Sequence, residues 1–144
     1  MAQGETSSDA RQLDSAAFTG LAEFRLALRQ FLAFGEATTS ANGVTSQQYQ
    51  AMLVIKASEQ HSVSIKQLAE QMLVAHNGAV QMVDRLVESG LVERSAAPGD
   101  RRRVLIGLSR RGDALVNRLA ATMLPELRKH KPLLARSLQL LEHI

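Results

Sequence analysis

The chain has 144 residues and a formal net charge of +3, with 45% hydrophobic and 22% charged residues. This length favours a single domain with a sizeable core. Because the sequence has no cysteine, disulfides, cysteine-based zinc sites and thiol redox sensing are excluded. The N-terminus lacks the apolar core of a signal peptide, and no apolar run reaches the ~18 residues of a membrane span. We therefore expect a cytoplasmic protein without a membrane contact.

The N-terminal part is predicted to be a disordered tail followed by one helix. Residues 1 to about 12 are polar and small, so they bury nothing that would offset the entropy of ordering. We expect a helix from Asp14 or Ser15 to near Gly35, because residues 38–43 are turn-like. Its apolar residues recur at steps of three and four, which is typical of one buried face; they are Phe18, Leu21, Phe24, Leu28 and Phe31 or Leu32.

Two capping boxes mark the starts of the next helices. Gln48 follows Thr45 by three residues, and Gln67 follows Ser64 by the same spacing. In this arrangement each side chain accepts a hydrogen bond from the backbone of the other residue. The sequence therefore predicts that helix two begins at Thr45 and helix three at Ser64.

A short turn and a fourth helix follow. Leu73 and Val74 form the predicted turn, and helix four is predicted from about residue 75 to residue 89. Gly90 suits the left-handed position that ends a helix. Two short helices joined by a tight turn are typical of a helix-turn-helix.

A hairpin is predicted directly after helix four. Residues 91–95 and 103–108 alternate in part between apolar and polar side chains, and Pro98-Gly99 between them suits a type II turn. Helix-turn-helix and hairpin together predict a winged helix-turn-helix over about residues 45–108. We expect residues 13–144 to form one domain of mainly α class, with the α+β character of a winged helix.

The terminal helices are predicted to make a dimer. Ser109 should cap helix five, Pro125 should kink or break it, and Pro132 suits the first turn of a last helix. The helical segments at about 14–35 and 109–144 carry more apolar surface than one small winged module can cover. We therefore expect them to pack against a second copy, as a homodimer.

Positive charge is concentrated at the hairpin, where residues 94–111 hold six arginines and one acidic residue. Such a patch attracts a polyanion. Arginine suits the narrow, negatively charged minor groove, because its planar head is weakly hydrated and reaches far. Asp100 cannot favourably face phosphate, so we expect it to pair with Arg102 and fix the hairpin tip. The competing interpretation is a solvated charge cluster.

The polar start of helix four is the candidate recognition surface. Asn77 and Gln81 can pair with adenine, Gly78 allows close approach of the backbone, and His76 can donate to a phosphate or base edge. Arg85 has a competing role in ion pairs with its neighbours on the helix. The alternative for the group is ordinary solvated residues.

At the start of helix three, Ser64 and Lys66 are expected to bind phosphate together with the free amides of the helix. Ser64 acting only as a cap is the alternative. Two recognition helices in successive major grooves imply double-stranded DNA with a roughly palindromic operator. The predicted DNA contacts are Ser64, Lys66, Ala75, His76, Asn77, Gly78, Gln81, Arg85, Asp100, Arg101, Arg102 and Arg103.

A small-molecule effector is a further prediction. An aromatic acid needs apolar walls and a cation for its carboxylate, and Arg25 or Arg29 with Tyr49 can supply them. All four phenylalanines lie in the first helix, and packing is the commoner explanation for them. The four histidines have no ligand spacing, so we expect neither a metal site nor a cofactor.

Two other classes of function are alternatives to DNA binding. A winged helix can serve as a protein-interaction module without binding DNA, although the basic hairpin argues against this. An enzyme is disfavoured, because the sequence has no nucleophile motif, no glycine-rich phosphate loop and no carboxylate pair in a plausible cleft.

Several motifs resemble the MarR family of bacterial transcription regulators, over about residues 14–144. They are SIKQLAE (64–70), VDRLVESGLVER (83–94), GDRRRVLIGLS (99–109) and the helix start RG (111–112). The resemblance implies a dimeric, triangular repressor that small phenolic or aromatic acids often release from DNA, with Asp100 and Arg102 as the wing signature. The segment Ala75-His76-Asn77-Gly78 departs from the Ser-Pro-Ser-Thr pattern of the family. This departure affects the identity of the operator rather than the docking mode.

Overall fold

A computed structural model describes residues 12–142, which form five α-helices and one three-stranded antiparallel sheet. The strand order is β1-β3-β2, so β3 is the central strand. In chain order the elements are α1 (Ser15–Ala41), α2 (Ser46–Ala57), β1 (Ser62–Ser64), α3 (Ile65–Met72), α4 (His76–Glu88), β2 (Val92–Ala97), β3 (Asp100–Leu108) and α5 (Arg110–Leu141).

The core lies between α2, the helix-turn-helix, the sheet and the first turns of α5. Its fully buried side chains come from all of these elements, which therefore form one packed lobe. They include Met52, Ile55, Leu68, Val83, Leu86, Leu91, Ile106, Val116 and Leu119.

The two long helices, α1 and α5, pack antiparallel beside this lobe. Gly20 lies against Leu141 near one end, and Gly35 lies against Met123 near the other. At Gly20 the absence of a Cβ lets the two backbones approach closely, because a Cβ there would lie 3.0 Å from the Ser137 carbonyl oxygen. No helix within residues 12–142 is long and apolar enough to cross a membrane.

The local helix signals are confirmed. Thr45 and Gln48 form a capping box at the start of α2, and Ser64 and Gln67 form another at the start of α3. Gly90 has the left-handed backbone expected of it, with φ of +71°. Each of these features depends on residues within one helical turn, which is why the sequence alone indicates them.

The predicted end of the first helix near Gly35 is wrong, because α1 continues to Ala41. A Cβ built at Gly35 would lie 3.8 Å from Met123, so this glycine is packed on α5 rather than exposed in a turn. The hydroxyl groups of Thr38 and Thr39 donate to carbonyls one turn back, which keeps these polar residues within the helix.

Pro125 was predicted to kink or break its helix, and the break is wrong. The separate last helix at Pro132 is wrong as well. One helix, α5, contains both prolines. Each proline is on the exposed side of α5, where water can bind the carbonyl that loses its intrahelical partner. Packing against α1 on both sides of the two prolines holds the segment in one helix, through Met123 and Ser137.

The sheet also differs from the prediction. The sequence indicated a two-stranded hairpin, whereas β1 adds a third strand that pairs with β3. Three residues of alternating burial are too short a pattern to stand out in a sequence. The predicted disorder of residues 1 to about 12 falls almost wholly outside the described residues.

Candidate nucleic-acid interface

The helix-turn-helix consists of α3, a tight turn and α4. Leu73 forms the turn with a left-handed backbone at φ of +56° and is 92% exposed. Its N–H donates to the carbonyls of Ala69 and Glu70, which ends α3. The next helix begins after Ala75, which occupies the cap position without a side-chain hydrogen bond.

One face of α4 is buried and the other is polar. Ala79, Met82, Val83 and Leu86 point into the core. His76, Asn77, Gln81 and Arg85 are exposed, and Gly78 is half-buried. The polar residues of the predicted recognition surface therefore lie outside the core, as the helical spacing indicates.

Part of this polar face borders a crevice. Gly78, Gln81 and Arg85 line a cavity of about 300 Å³ together with Thr45 and Gln48 from the start of α2. The first turn of α2 is therefore a neighbour of the candidate recognition helix. The sequence analysis missed this neighbour, because the two segments are far apart along the chain.

The three wing arginines lie in an irregular part of the hairpin. Ala97 pairs with Asp100, but the preceding residue, Ala96, pairs with Val104. Residues 101–103 therefore have no partners in the ladder and bulge out of β3. A bulge of this kind redirects side chains away from the regular pleat. Arg101, Arg102 and Arg103 are all exposed.

Asp100 shapes this bulge, but not in the way the sequence predicted. Its Oδ1 accepts a hydrogen bond of 3.0 Å from the backbone N–H of Arg102. The expected ion pair with the guanidinium of Arg102 is not formed, because the carboxylate is turned towards its own chain two residues on. The side chain of Arg102 therefore has no carboxylate partner among residues 12–142.

Arg94, by contrast, is held in an ion pair with Asp84. This contact joins strand β2 of the wing to α4 on their exposed sides. Asp84 therefore pairs with the wing rather than with its neighbour Arg85 on the helix. The six arginines of the basic segment thus differ in their surroundings, which a count of charges could not reveal.

The base of the wing is fixed to α5 by a compact set of contacts. The Ser109 hydroxyl donates to the Gly90 carbonyl at 2.6 Å, and Arg111 Nη1 donates to the Ser89 carbonyl at 3.0 Å. A Cβ at Gly112 would lie only 1.9 Å from the Leu91 carbonyl oxygen. Glycine is therefore required at position 112 for α5 to approach the wing this closely.

Strand β1 brings the start of α3 beside the wing. Ser64 pairs with Leu105 of β3, in the strand that carries the arginines. Ser64 itself is half-buried and caps α3, with its side chain accepting from Gln67 N–H at 3.2 Å. Lys66 is exposed on the first turn of α3. The predicted phosphate-binding residues thus flank the arginine-bearing strand.

The predicted effector residues lie on two helices. Arg25 and Arg29 are exposed on α1. Tyr49 on α2 packs against the core, and its burial raises its pKa above the ordinary value of 10.0. None of these three residues lines the cavity beside α4 or the cavities on α5. Within residues 12–142 no three His, Asp or Glu side chains are grouped as a metal site would require.

The arrangement of three helices, a three-stranded sheet and a basic hairpin defines a winged helix-turn-helix protein. A family model described as MarR family matches residues 42–103, which hold most of this lobe. This lobe is therefore similar to the MarR family, whose members are transcriptional regulators and not enzymes. No relative is detected among curated proteins.

Solved structures share the fold. AbsC, a MarR family transcriptional regulator from Streptomyces coelicolor, is 19% identical, with a TM-score of 0.70 over 83% of this chain and 81% of that chain. A mutant MarR from E. coli, complexed with operator DNA, is 24% identical, with a TM-score of 0.61 over 74% and 77%. BpsR from Bordetella bronchiseptica, whose DNA binding is regulated by 6-hydroxynicotinic acid, is 21% identical, with a TM-score of 0.58 over 73% of each chain.

Proposed function

We propose that this protein is a transcriptional regulator that binds double-stranded DNA as a homodimer, with α4 in the major groove and the wing on the backbone or minor groove. The observation that carries the proposal is the bulge of three consecutive exposed arginines in the wing, whose strand β2 is joined to α4 by the ion pair of Arg94 and Asp84. An exposed arginine without a carboxylate partner can bind phosphate or a narrow minor groove without first breaking an ion pair. The operator-bound E. coli protein of the same fold supports this mode.

Each element has a role in this proposal. His76, Asn77 and Gln81 on the exposed face of α4 contact base edges, and Gly78 and Ala75 allow the backbone to approach. Ser64 and Lys66 at the start of α3 bind phosphate. Arg85 faces the crevice beside α2, so it contacts DNA only at the edge of the recognition surface. Asp100 holds the bulge through the Arg102 amide rather than touching DNA.

The dimer is supported by unpartnered apolar surface on α1 and α5. Phe18 and Leu32 of α1 are 60% and 57% exposed, and Leu138 of α5 is 51% exposed. Leu127, Leu134 and Leu138 line an apolar hollow of about 460 Å³ on α5. Exposed apolar faces of this extent are typical of surfaces that a partner covers. A second copy would place two recognition helices about one turn of DNA apart, on a roughly palindromic operator.

Regulation by a small molecule completes the proposal. A repressor is released when an effector binds better to a dimer whose two recognition helices are wrongly spaced for DNA. BpsR, which has the same fold, shows that a small aromatic acid can regulate a protein of this kind. Arg25, Arg29 and Tyr49 are the effector residues that the sequence suggests.

A DNA-binding titration tests the proposal. Operator fragments are selected from random duplex DNA, and their affinity is measured by fluorescence anisotropy at several salt concentrations. Arg102→Ala should weaken binding by about 1–3 kcal/mol and lower the salt slope by about 1, because one phosphate or groove contact is lost. Lys129→Ala removes one exposed positive charge on α5, away from the wing, and should change neither quantity.

Two outcomes would refute the proposal. Equal operator affinity for Arg102→Ala and Lys129→Ala would show that the wing does not contact DNA. Failure to select any duplex sequence, even at low salt, would instead favour a winged-helix module that binds another protein. Circular dichroism of both variants establishes that they are folded.

A further inference from the structure

We propose that Leu73 and Ala75, immediately ahead of α4, contact the 5-methyl group of a thymine in the operator and so help to select its sequence. Leu73 ends α3 in the turn of the helix-turn-helix, and Ala75 occupies the cap position of α4. The contact rests on the proposed function, because it assigns a base preference to the same DNA-binding surface. It adds Leu73 to the contacts that the sequence predicted.

Leu73 is the most exposed large apolar side chain among residues 12–142, at 92%. Most of the other exposed large apolar side chains lie on α1 and α5, where the proposed dimer would cover them. Within the described part of the lobe only one other is exposed, Val104, which directly follows the wing arginines. The exposed large apolar side chains of the lobe therefore belong to the two regions that are proposed to bind DNA, the start of α4 and the wing.

The backbone at Leu73 is one that leucine rarely adopts. It is left-handed, with φ of +56°, where a Cβ crowds the following carbonyl and where glycine is the usual residue. The turn is closed by backbone hydrogen bonds alone. The Leu73 N–H donates to the carbonyls of Ala69 and Glu70, and the Val74 N–H donates to the Ala69 carbonyl at 3.1 Å. Glycine would close the same turn without strain, which indicates that the leucine side chain has a role outside the turn.

Ala75 adds a second exposed apolar group next to Leu73. It caps α4 without a side-chain hydrogen bond, and it is exposed. Val74, between the two, is half-buried and packs on α4, because a Cβ at Gly78 would lie 3.7 Å from the Val74 Cβ. Val74 therefore fixes the segment to α4, while Leu73 and Ala75 remain in solvent. The result is a small apolar patch directly ahead of the polar first turn of α4.

DNA offers one apolar group that matches such a patch. In the major groove all base pairs present hydrogen-bond donors and acceptors, and thymine alone adds a methyl group. Contact of this methyl group with leucine and alanine removes apolar surface from water and requires no polar partner. The polar side chains of α4 would then bind base edges through hydrogen bonds, while the apolar patch distinguishes thymine from the other bases.

A protein partner fits the patch less well than DNA does. A stable protein interface buries about 800 Å² on each partner. The apolar patch has only two exposed members, because the exposed residues on either side of it in the sequence are polar; they are Glu70, Gln71, His76 and Asn77. A patch of this size suits a single methyl group rather than the surface of another protein.

Replacement of thymine by deoxyuridine tests the contact, because it removes the methyl group and keeps the base pair. Operators selected from random duplex DNA should carry thymine at one fixed position of each half-site. Deoxyuridine at this position of one half-site should weaken binding by the wild type about fourfold, measured by fluorescence anisotropy at one salt concentration. Deoxyuridine at thymines outside the half-sites is the matched DNA control and should leave the affinity unchanged.

Two substitutions at position 73 assign the effect to the side chain. Leu73→Gly suits the left-handed turn and removes the side chain, so it should bind the selected operator at least about fourfold more weakly and lose most of its sensitivity to deoxyuridine. The salt slope of its binding should not change, because no charge is removed. Leu73→Met keeps an apolar side chain and should retain the sensitivity of the wild type. Circular dichroism establishes that both variants are folded.

Three results would overturn the thymine contact. The first is an absence of thymine preference in the selected operators. The second is an equal effect of deoxyuridine on the wild type and on Leu73→Gly. The third is unchanged operator affinity in Leu73→Gly, which would instead favour a protein partner for Leu73. If the wild type selects no duplex at all, the proposed function fails and the contact fails with it, whereas binding without sensitivity to the methyl group refutes the contact alone.

Discussion

Gly112→Ala is the substitution for which the structure predicts the largest loss of stability. The added Cβ would lie 1.9 Å from the Leu91 carbonyl oxygen and 2.9 Å from its carbonyl carbon. The Leu91 carbonyl cannot move away easily. Leu91 is buried, and its carbonyl accepts a hydrogen bond of 3.0 Å from the Ser109 N–H, which fixes the base of the wing.

The size of the expected stability loss follows from the contacts that the added methyl group would disturb. Separating α5 from β2 by more than about 1 Å strains the packing, at a cost of about 1–3 kcal/mol. Losing the Ser109–Leu91 hydrogen bond adds about 1 kcal/mol. We therefore expect Gly112→Ala to lower the free energy of unfolding by about 2–4 kcal/mol, a large part of the stability of a domain of this size.

Gly35→Ala is the matched control, because it adds the same methyl group to a helix. Its Cβ would lie 3.8 Å from Met123, which is ordinary contact. Alanine favours the helix by about 0.8–1 kcal/mol relative to glycine, so this variant should be more stable than the wild type. Urea unfolding followed by circular dichroism at one fixed protein concentration measures both changes.

The reasoning would be refuted if Gly112→Ala unfolded within about 0.5 kcal/mol of the wild type, which is the usual range for surface substitutions. Such a result would mean that α5 is not held against the wing as described. A destabilised Gly35→Ala would contradict the packing of α1 on α5. Gly112→Ala therefore tests the contact of α5 with the base of the wing, and Gly35→Ala tests the contact of α1 with α5.

Three further predictions concern stability, assembly and pH. Leu73→Gly should raise the free energy of unfolding by about 0.5–1 kcal/mol in urea titrations. Leu73 is exposed, and its backbone is in the left-handed region that glycine adopts without steric cost. A loss of stability would contradict the left-handed backbone at Leu73. Leu138→Glu should shift the proposed dimer towards monomer in light scattering, whereas Leu73→Glu should not, because Leu138, unlike Leu73, lies on the exposed apolar face of α5. Equal masses for both variants would disprove that interface. Tyr49 is the only tyrosine, and burial raises its pKa. The stability it contributes is present below pH 10 and is lost as pH rises through the raised pKa. As the pH rises above 10, Tyr49→Phe should therefore lose less stability than the wild type. The ultraviolet absorbance of tyrosinate should titrate above the ordinary tyrosine pKa of 10.0. Titration at the ordinary pKa would contradict the burial of Tyr49.

The sequence by itself determined the features that depend on near neighbours. The capping boxes at Thr45 and Ser64 and the left-handed Gly90 each involve residues within one turn. The order of helices and hairpin followed from them, because apolar periodicity indicates which stretches are helical. The cluster of arginines at the hairpin was likewise visible in the chain itself.

Only the tertiary structure decided the rest. Gly35 was predicted to end a helix, Pro125 to kink or break one and Pro132 to begin one, yet α1 and α5 continue through these positions. Intrinsic propensity amounts to a few kcal/mol, and packing of one long helix on another can outweigh it. The roles of the arginines also depended on contacts far along the chain. Arg94 is paired with Asp84, while Arg111 donates to the Ser89 carbonyl. These contacts join residues far apart in the chain, and the packing of the helices sets them. The residues next to a side chain in the sequence carry no signal of which distant residues it will contact.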